Sequence, residues 1–341
     1  MSTDAAVQTL PNDGPVLAGH IDFRTDRRAR LRDYIAIARL DHATKHVFII
    51  PGIVLAYALR GARAEDMALN ALLGFASAFL IASANYVINE YLDRETDRHH
   101  PTKSGRTALQ VDFSPGLIFL EWACLVLAGL VCAAISSKTM LLVATLFVAQ
   151  GIVYNVRPFR SKDRAYLDVI SESVNNPLRL LIGWSIVDPT TLPPSSVVLA
   201  YWAGGAFLMA AKRFSEYREI TSLHGRDLLV RYRASFAHYS EVSLNVSCLI
   251  YASVSSFFLG VFLIKYRIEY LLTFPAFAFL FGTYLALSMQ HGSVAQKPEK
   301  LFREKSLVGA VVALVLLLGI CSFVEIEPLH RFIAQDYVEL R

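Results

Sequence analysis

An all-α, polytopic membrane protein is the fold class this sequence predicts, and three observations predict it. Hydrophobic residues make up 54% of the 341 positions and charged residues only 18%, which is far more apolar than a soluble domain. Nine apolar runs approach the roughly 20 residues needed to cross a bilayer. Lys and Arg fall mainly on alternate connections between those runs.

The first 33 residues are polar and contain no apolar stretch, so they read as a surface arm and not as a signal peptide. The expected spans follow at about 43–60, 67–91, 115–136, 139–156, 166–187, 195–212, 240–264, 268–289 and 306–325. This gives an N-terminal arm (1–33), a transmembrane domain (34–325) and a short C-terminal tail (326–341). Of the 33 Lys and Arg residues, 24 lie on one side of the membrane, seven on the other, and Lys45 and Arg179 inside spans. The positive-inside rule puts the N-terminus in the cytoplasm and the C-terminus outside, as an odd number of spans requires. The net charge of +4 follows from that asymmetry and gives no support for nucleic-acid binding. Cys124, Cys132, Cys248 and Cys321 all fall in apolar runs without the spacing of a zinc site, and read as small buried hydrophobes.

The second span ends in N-E-Y-L-D-R-E-T-D, in which Asn89, Asp93 and Asp97 recur every four residues. On a helix this spacing aligns a carboxamide and two carboxylates on one face. Such a face repels itself unless a cation sits among the side chains, and hard oxygen donors suit Mg²⁺, which commonly takes substrate phosphates as further ligands. A solvated helix end would carry similar charges, and Arg94, Glu95 and Arg98 lie close by. The next segment, D-R-H-H-P-T-K-S-G-R, argues for more than that. Pro101 and Gly105 break the helix, and His99, His100, Lys103 and Arg106 add donors beside the acids. Acids for a metal followed by bases for a phosphate make a coherent diphosphate cradle.

A second constellation follows the fourth span. Tyr154 to Asp168 carries Arg157, Arg160, Lys162 and Arg164, and then Asp168, Glu172 and Asn176 again step by four, with Arg179 continuing their face. Positive-inside topology accounts for a basic loop. It does not account for ionisable groups along the fifth span, which must face a polar cavity or one another.

The segment N-E-x-x-D-x-x-x-D-R-x-H-P-T-K-x-x-R, Asn89–Arg106, resembles the first aspartate-rich motif of the UbiA superfamily of intramembrane prenyltransferases. Its basic extension resembles more closely the branch of decaprenyl-phosphate phosphoribosyltransferases. Glu90 stands where the superfamily usually has the first Asp. Tyr154, Lys162 and Asp168 match the family's second acidic motif, with Glu172 in place of a second Asp. Arg39 to His46 is similar to an R-P-x-x-W-x-K-N segment without its Pro and Trp, and Lys212-Arg213-Phe-Ser-Glu216 is similar to K-R-x-x-E. Lys45 at the start of a span also fits snorkelling, and Lys212 and Arg213 also fit a basic helix end.

The resemblance implies a UbiA-like helical bundle in the bacterial inner membrane that transfers 5-phosphoribosyl from 5-phosphoribosyl diphosphate to a polyprenyl phosphate. Such a product would feed lipid-linked arabinose donors for cell-wall polymers, glycolipids or nodulation signals. It implies Mg²⁺ held by Asn89, Asp93, Asp97, Asp168 and Glu172, with Asp93, Asp97 and Asp168 catalytic. Lys45, Arg98, Lys103, Arg106, Tyr154, Arg160, Lys162, Lys212 and Arg213 would bind substrate. Two other readings stay open: a prenyltransferase that uses a prenyl diphosphate and a lipophilic or aromatic acceptor, and a transporter or lipid-binding membrane protein. Glu121 in the third span reads as a buried, paired acid. The aromatic seventh and eighth spans read as lipid or core contacts, some of which could line a groove for a polyprenyl chain.

Lys103 separates phosphate binding from topology. Lys103→Ala is expected to keep orientation and expression, because one charge among 24 is dispensable for topology. It is expected to raise the apparent KM for the diphosphate donor at least about tenfold, or roughly 1.4 kcal/mol. An unchanged saturation curve returns Lys103 to a purely topological role.

Overall fold

The computed structural model describes residues 27–99, 106–290, 292–293 and 304–332, all in helices, turns and connections apart from a single bridge pairing Arg28 with Asp112. A short helix, α1 (Leu31–Ile37), precedes a 3₁₀ segment, Leu40–Ile49, that runs directly into α2 (Ile50–Arg60). Then come α3 (Met67–Leu92), α4 (Arg94–Asp97), α5 (Thr107–Gln110), α6 (Pro115–Ser136) and α7 (Lys138–Asn155). The chain continues through α8 (Leu167–Ser173), α9 (Asn175–Val187), α10 (Ser195–His224), α11 (Arg226–Tyr232) and a 3₁₀ turn, Ala234–His238. It closes with α12 (Glu241–Tyr266), α13 (Phe274–Ser288), α14 (Lys305–Phe323) and α15 (Glu327–Phe332).

Local chemistry sets the helix starts. Asp66 caps α3 by accepting from the Leu69 amide at 2.9 Å, and Ser137 caps α7 through the Met140 amide at 3.0 Å. Pro115 opens α6 at a position where a missing N–H costs nothing. Ser240 and Ser243 form a reciprocal cap on α12.

Among the described residues, seven stretches are long and apolar enough to cross a membrane, beginning with Ala43–Arg60 and ending with Lys305–Phe323. The other two of the nine expected spans fall short of that test. Residues 166–187 are divided at Val174 into α8 and α9 and carry Asp168, Glu172 and Arg179. Residues 195–212 open α10, where Ser195, Ser196, Gly204 and Gly205 dilute the apolar character. Both are the polar-motif helices, and their polar groups face the interior of the bundle.

The outer helices reverse the pattern of a soluble protein. On α6, Leu117, Phe119, Leu120, Leu127 and Ile135 are exposed, as they are on a lipid-facing surface. Inside, α3 packs on α6 and α7, α2 on α9, and α10 on α12. One core joins Ile49, Ile81, Met140, Phe147, Ile182 and Trp184, and another joins Val169, Phe207, Ala210, Cys248 and Tyr284. Cys248 and Cys321 are buried; Cys132 is half-buried and Cys124 exposed on the outer face of α6.

Glycine permits the α2–α9 crossing. A Cβ on Gly52 would stand 2.1 Å from the Leu180 carbonyl oxygen, and one on Gly183 would stand 2.0 Å from that of Ile49. Facing small residues let two backbones touch, the usual means of packing helices in lipid. This contact presses the 3₁₀ segment onto α9 and so places Lys45 and His46 beside the fifth-span face. Gly183→Ala is expected to force the backbones apart at a cost of about 1–3 kcal/mol. A melting temperature in detergent equal to the parent's would show that the crossing yields without cost.

Candidate functional site

The two acid motifs meet at one end of the bundle, where α3, α7, α8 and α10 end or begin. The first motif lies at the C-terminus of α3, with Asp93 as its capping residue. Asn89 donates to Asp93 Oδ2 at 3.2 Å and to Asn155 Oδ1 at 2.6 Å. The loop after α7 then supplies the counter-charge. Lys162 Nζ stands 2.6 Å and Arg160 Nη2 2.9 Å from Asp93 Oδ1, while Lys162 also donates to Asn155 at 2.9 Å. Arg160 and Tyr166 both hold positive φ, +31° and +66°. Side chains rarely adopt this backbone, and it concentrates at functional sites.

Lys162 is 3% exposed. Burial pushes its ammonium down to about 8, against the pull of Asp93. For Asp93 burial works the other way, but Lys162 and then Arg160 outweigh it and hold the carboxyl below the usual carboxylate range. One turn further on, Asp97 is buried and paired with Arg106. Glu90, on another face of α3, is also buried, within reach of Arg106 and Arg39 and of the Ala108 backbone. Arg98 is exposed, and Lys103 lies outside the described residues.

The second motif is drawn into a denser network. Asp168 is fully buried. Its Oδ1 accepts from Tyr239 Oη at 2.7 Å; its Oδ2 accepts from Arg213 Nε at 3.1 Å and Ser235 Oγ at 3.1 Å, with Arg233 Nη1 at 3.8 Å. Arg213 reaches on to Glu216 at 3.1 Å and to Glu172 at 3.7 Å. Tyr154 donates its hydroxyl to Glu172. Arg233 Nη1 is buried without a hydrogen-bond partner, and Arg233 acts electrostatically on Asp93 as well as Asp168, so it links the two halves.

Most of the residues expected from sequence are therefore brought together in two adjoining groups. The first holds Asn89, Asp93, Arg160 and Lys162, with the Asp97–Arg106 pair beside it. The second holds Tyr154, Asp168, Glu172 and Arg213. Lys45 and Lys212 stand beside the second group, within electrostatic reach of Glu172. Sequence reading missed Asn155, Arg233, Ser235 and Tyr239. Asn155 directly follows Tyr154 at a helix end, a usable signal. The other three lie in a connection whose charges had a topological explanation.

No three of His, Cys, Asp and Glu among the described residues stand close enough to hold a metal by themselves. The donor set nonetheless fits Mg²⁺. Asn89, Asp93 and Asp97 supply hard oxygens at helical spacing, and a shell short of protein ligands is one that phosphate oxygens complete.

A sequence profile of the UbiA prenyltransferase family matches residues 47–308. The chain belongs to that family. It is thus a multi-pass membrane transferase. It is 31% identical over 180 residues to a decaprenyl-phosphate phosphoribosyltransferase of Mycolicibacterium smegmatis, a match covering 51% of this chain and 54% of that protein. It is 30% identical over 190 residues to the nodulation protein NoeC of Azorhizobium caulinodans, covering 54% and 59%. The chain spans between half and three-fifths of the length of these curated relatives. A UbiA homolog from Archaeoglobus fulgidus, solved bound to DMAPP and Mg²⁺, superposes with a TM-score of 0.63 at 19% identity, over 86% of this chain and all of that one. The fold is shared.

The network around Asp168 sets its own test. Asp168→Asn leaves the buried Arg213 and Arg233 without their shared counter-charge, an expected loss of about 3–5 kcal/mol. Tyr239→Phe removes one hydrogen bond to the carboxylate, an expected loss of about 1.5–3 kcal/mol. Thermal unfolding in nanodiscs should rank parent, Tyr239→Phe and Asp168→Asn in that order. A reversed order would mean that Asp168 is not what neutralises the guanidinium pair.

Proposed function

We propose that this UbiA-family transferase moves 5-phosphoribosyl from 5-phosphoribosyl diphosphate to a polyprenyl phosphate at the cytoplasmic face of a bacterial inner membrane. The observation that carries this reading is the surplus of phosphate-holding groups. Arg106, Arg160 and Lys162 face the first acid motif, Arg213 and Arg233 the second, and Lys45, Arg179 and Lys212 lie beyond them. A sugar donor with a 5-phosphate and a diphosphate, meeting a phosphorylated acceptor, presents three anionic groups. The relative named a decaprenyl-phosphate phosphoribosyltransferase and the basic extension after Asp97 support the same choice. The Lys/Arg asymmetry supports a cytoplasmic N-terminus.

In this reading the oxygen donors available to Mg²⁺ are Asn89, Asp93, Asp97, Asp168 and Glu172. The bound ion would supply Lewis-acid stabilisation of the leaving diphosphate. Arg160, Lys162 and Arg106 exchange their carboxylate partners for phosphate oxygens through charge-assisted bonds. The bond from C1 of ribose to the diphosphate breaks, and its electron pair leaves with the diphosphate. A lone pair of the acceptor phosphate forms the new C1–O bond. The acceptor is already ionised at neutral pH, so no protein base is needed.

A second reading, transfer of a prenyl group from a prenyl diphosphate, is favoured by one observation: the superposed archaeal homolog was solved with DMAPP. Membranes containing the protein, offered labelled phosphoribosyl diphosphate or labelled prenyl diphosphate with a polyprenyl phosphate, decide between them. Mg²⁺-dependent transfer of the ribosyl label into lipid is expected. Asp93→Asn should reduce it by orders of magnitude, and Lys162→Ala should raise the donor KM at least about tenfold. Consumption of the prenyl diphosphate alone would make the second reading correct.

A further inference from the structure

Around Glu172 of the second acid motif lies a further group of cations, and the acids account for only part of it. On α3, Tyr86 precedes Asp93 by seven residues; on the fifth-span face, Arg179 follows Glu172 by seven. Seven residues are two helical turns, so each stays on the face of its motif but lies about 10 Å further along the helix. Lys45 Nζ stands over the Tyr86 ring, 5.3 Å from its centroid. Arg179 is 6% exposed, stacked 5.2 Å from Phe147, and interacts with Tyr86, Tyr201 and Glu172. Lys212 is within electrostatic reach of Lys45, and both act on Glu172.

This chamber therefore gathers Lys45, Arg179 and Lys212 from three different elements around one carboxylate, Glu172, which is already engaged by Tyr154 and Arg213. Among the described residues none of the three cations has an acid at ion-pair distance. The Arg179 Nε is buried without a hydrogen-bond partner, as are the nearby His46 Nδ1 and Asn175 Oδ1. The buried Arg179 guanidinium, held inside a membrane protein with no acid at ion-pair distance, carries a large desolvation cost, which a bound anion relieves.

We infer that Lys45, Arg179 and Lys212 form a second anion subsite that takes a phosphate monoester, the phosphate of the lipid acceptor. The inference rests on the phosphoribosyl-transfer reading for the identity of that lipid. Access selects the source. A cleft of about 580 Å³ between the 3₁₀ segment and α3 is lined by Val47, Ile50, Phe75, Ala76, Phe79 and His46, the last of which interacts with both Arg179 and Lys45. Val47 and Ile50 are exposed on the apolar outer surface. Through His46, Arg179 and Lys45 thus adjoin a hydrocarbon-lined opening, with Arg179 two helical turns beyond Glu172. An isoprenoid chain can rest in such a cleft with its phosphate among the three cations. A free sugar phosphate has no comparable partner there.

The test measures binding of farnesyl phosphate to the full chain in nanodiscs, without donor, beside farnesol and 5-phosphoribosyl diphosphate. Arg179→Gln, Lys45→Gln and Lys212→Gln are each expected to raise the farnesyl phosphate Kd at least about tenfold. Farnesol affinity should be unchanged and the Kd for 5-phosphoribosyl diphosphate should shift less than about twofold. Lys45 and Lys212 are only half-buried, so those two variants keep the test open should Arg179→Gln fail to fold. Unchanged farnesyl phosphate binding in Lys45→Gln and Lys212→Gln overturns the inference. So does an equal loss of donor binding, which would make the chamber part of the donor site. Binding is read without turnover, so absent ribosyl transfer with intact, cation-dependent farnesyl phosphate binding would refute the proposed donor and leave this subsite standing.

Discussion

Charge inside a helical bundle must be paired, and the Lys162–Asp93 contact at 2.6 Å is where this chain meets that requirement most sharply. An ammonium 3% exposed cannot keep its charge alone, and a carboxylate at the end of an apolar helix cannot either. Each makes the other tenable, and the pair ties the end of α3 to the loop after α7. Asn155 accepts from both Asn89 and Lys162 and sets their orientation. The unusual backbone at Arg160 follows, because the loop must turn back to present two cations to one carboxylate.

The second acid motif meets the same requirement with more partners. Asp168 gathers donors from α10 and from the connection 233–239, so that connection is held over the site by the carboxylate itself. Phe236, Tyr232 and Tyr239 pack against Phe214 and Leu244 beneath it and give the polar clamp an apolar footing. Both motifs are thereby neutralised by Lys and Arg side chains, which are groups able to pair with phosphate as well. Ion pairs that an anion can exchange are less costly to open than ones that must be left empty.

Packing elsewhere serves that geometry. The Gly52–Gly183 contact brings the 3₁₀ segment against α9 and carries Lys45 and His46 into the interior. On α7, Gly151 leaves room for the Asn85 side chain, and on α10 Gly205 does the same for Asn176. Small residues thus make space for polar ones along the inner faces of α3 and the fifth-span helices.

The sequence by itself determined the all-helical membrane class, the approximate limits of the apolar helices, the two acid faces and the basic loops beside them. Hydrophobic run length, i+4 spacing and the Lys/Arg asymmetry are local quantities, and a chain carries them wherever it folds. Asp93 and Asp168 were legible for that reason, whereas Lys162 was singled out by the resemblance to the family's second motif. Tertiary structure alone decided which cation meets which acid: that Arg213 from α10 and Arg233 from a distant connection share Asp168, and that Lys45, Arg179 and Lys212 converge from three elements. It also decided that the fifth-span segment breaks at Val174 and fails the simple test for a span. Side chains 45 to 71 positions apart in the chain come together around Asp168 through helix packing, and no local pattern encodes that packing.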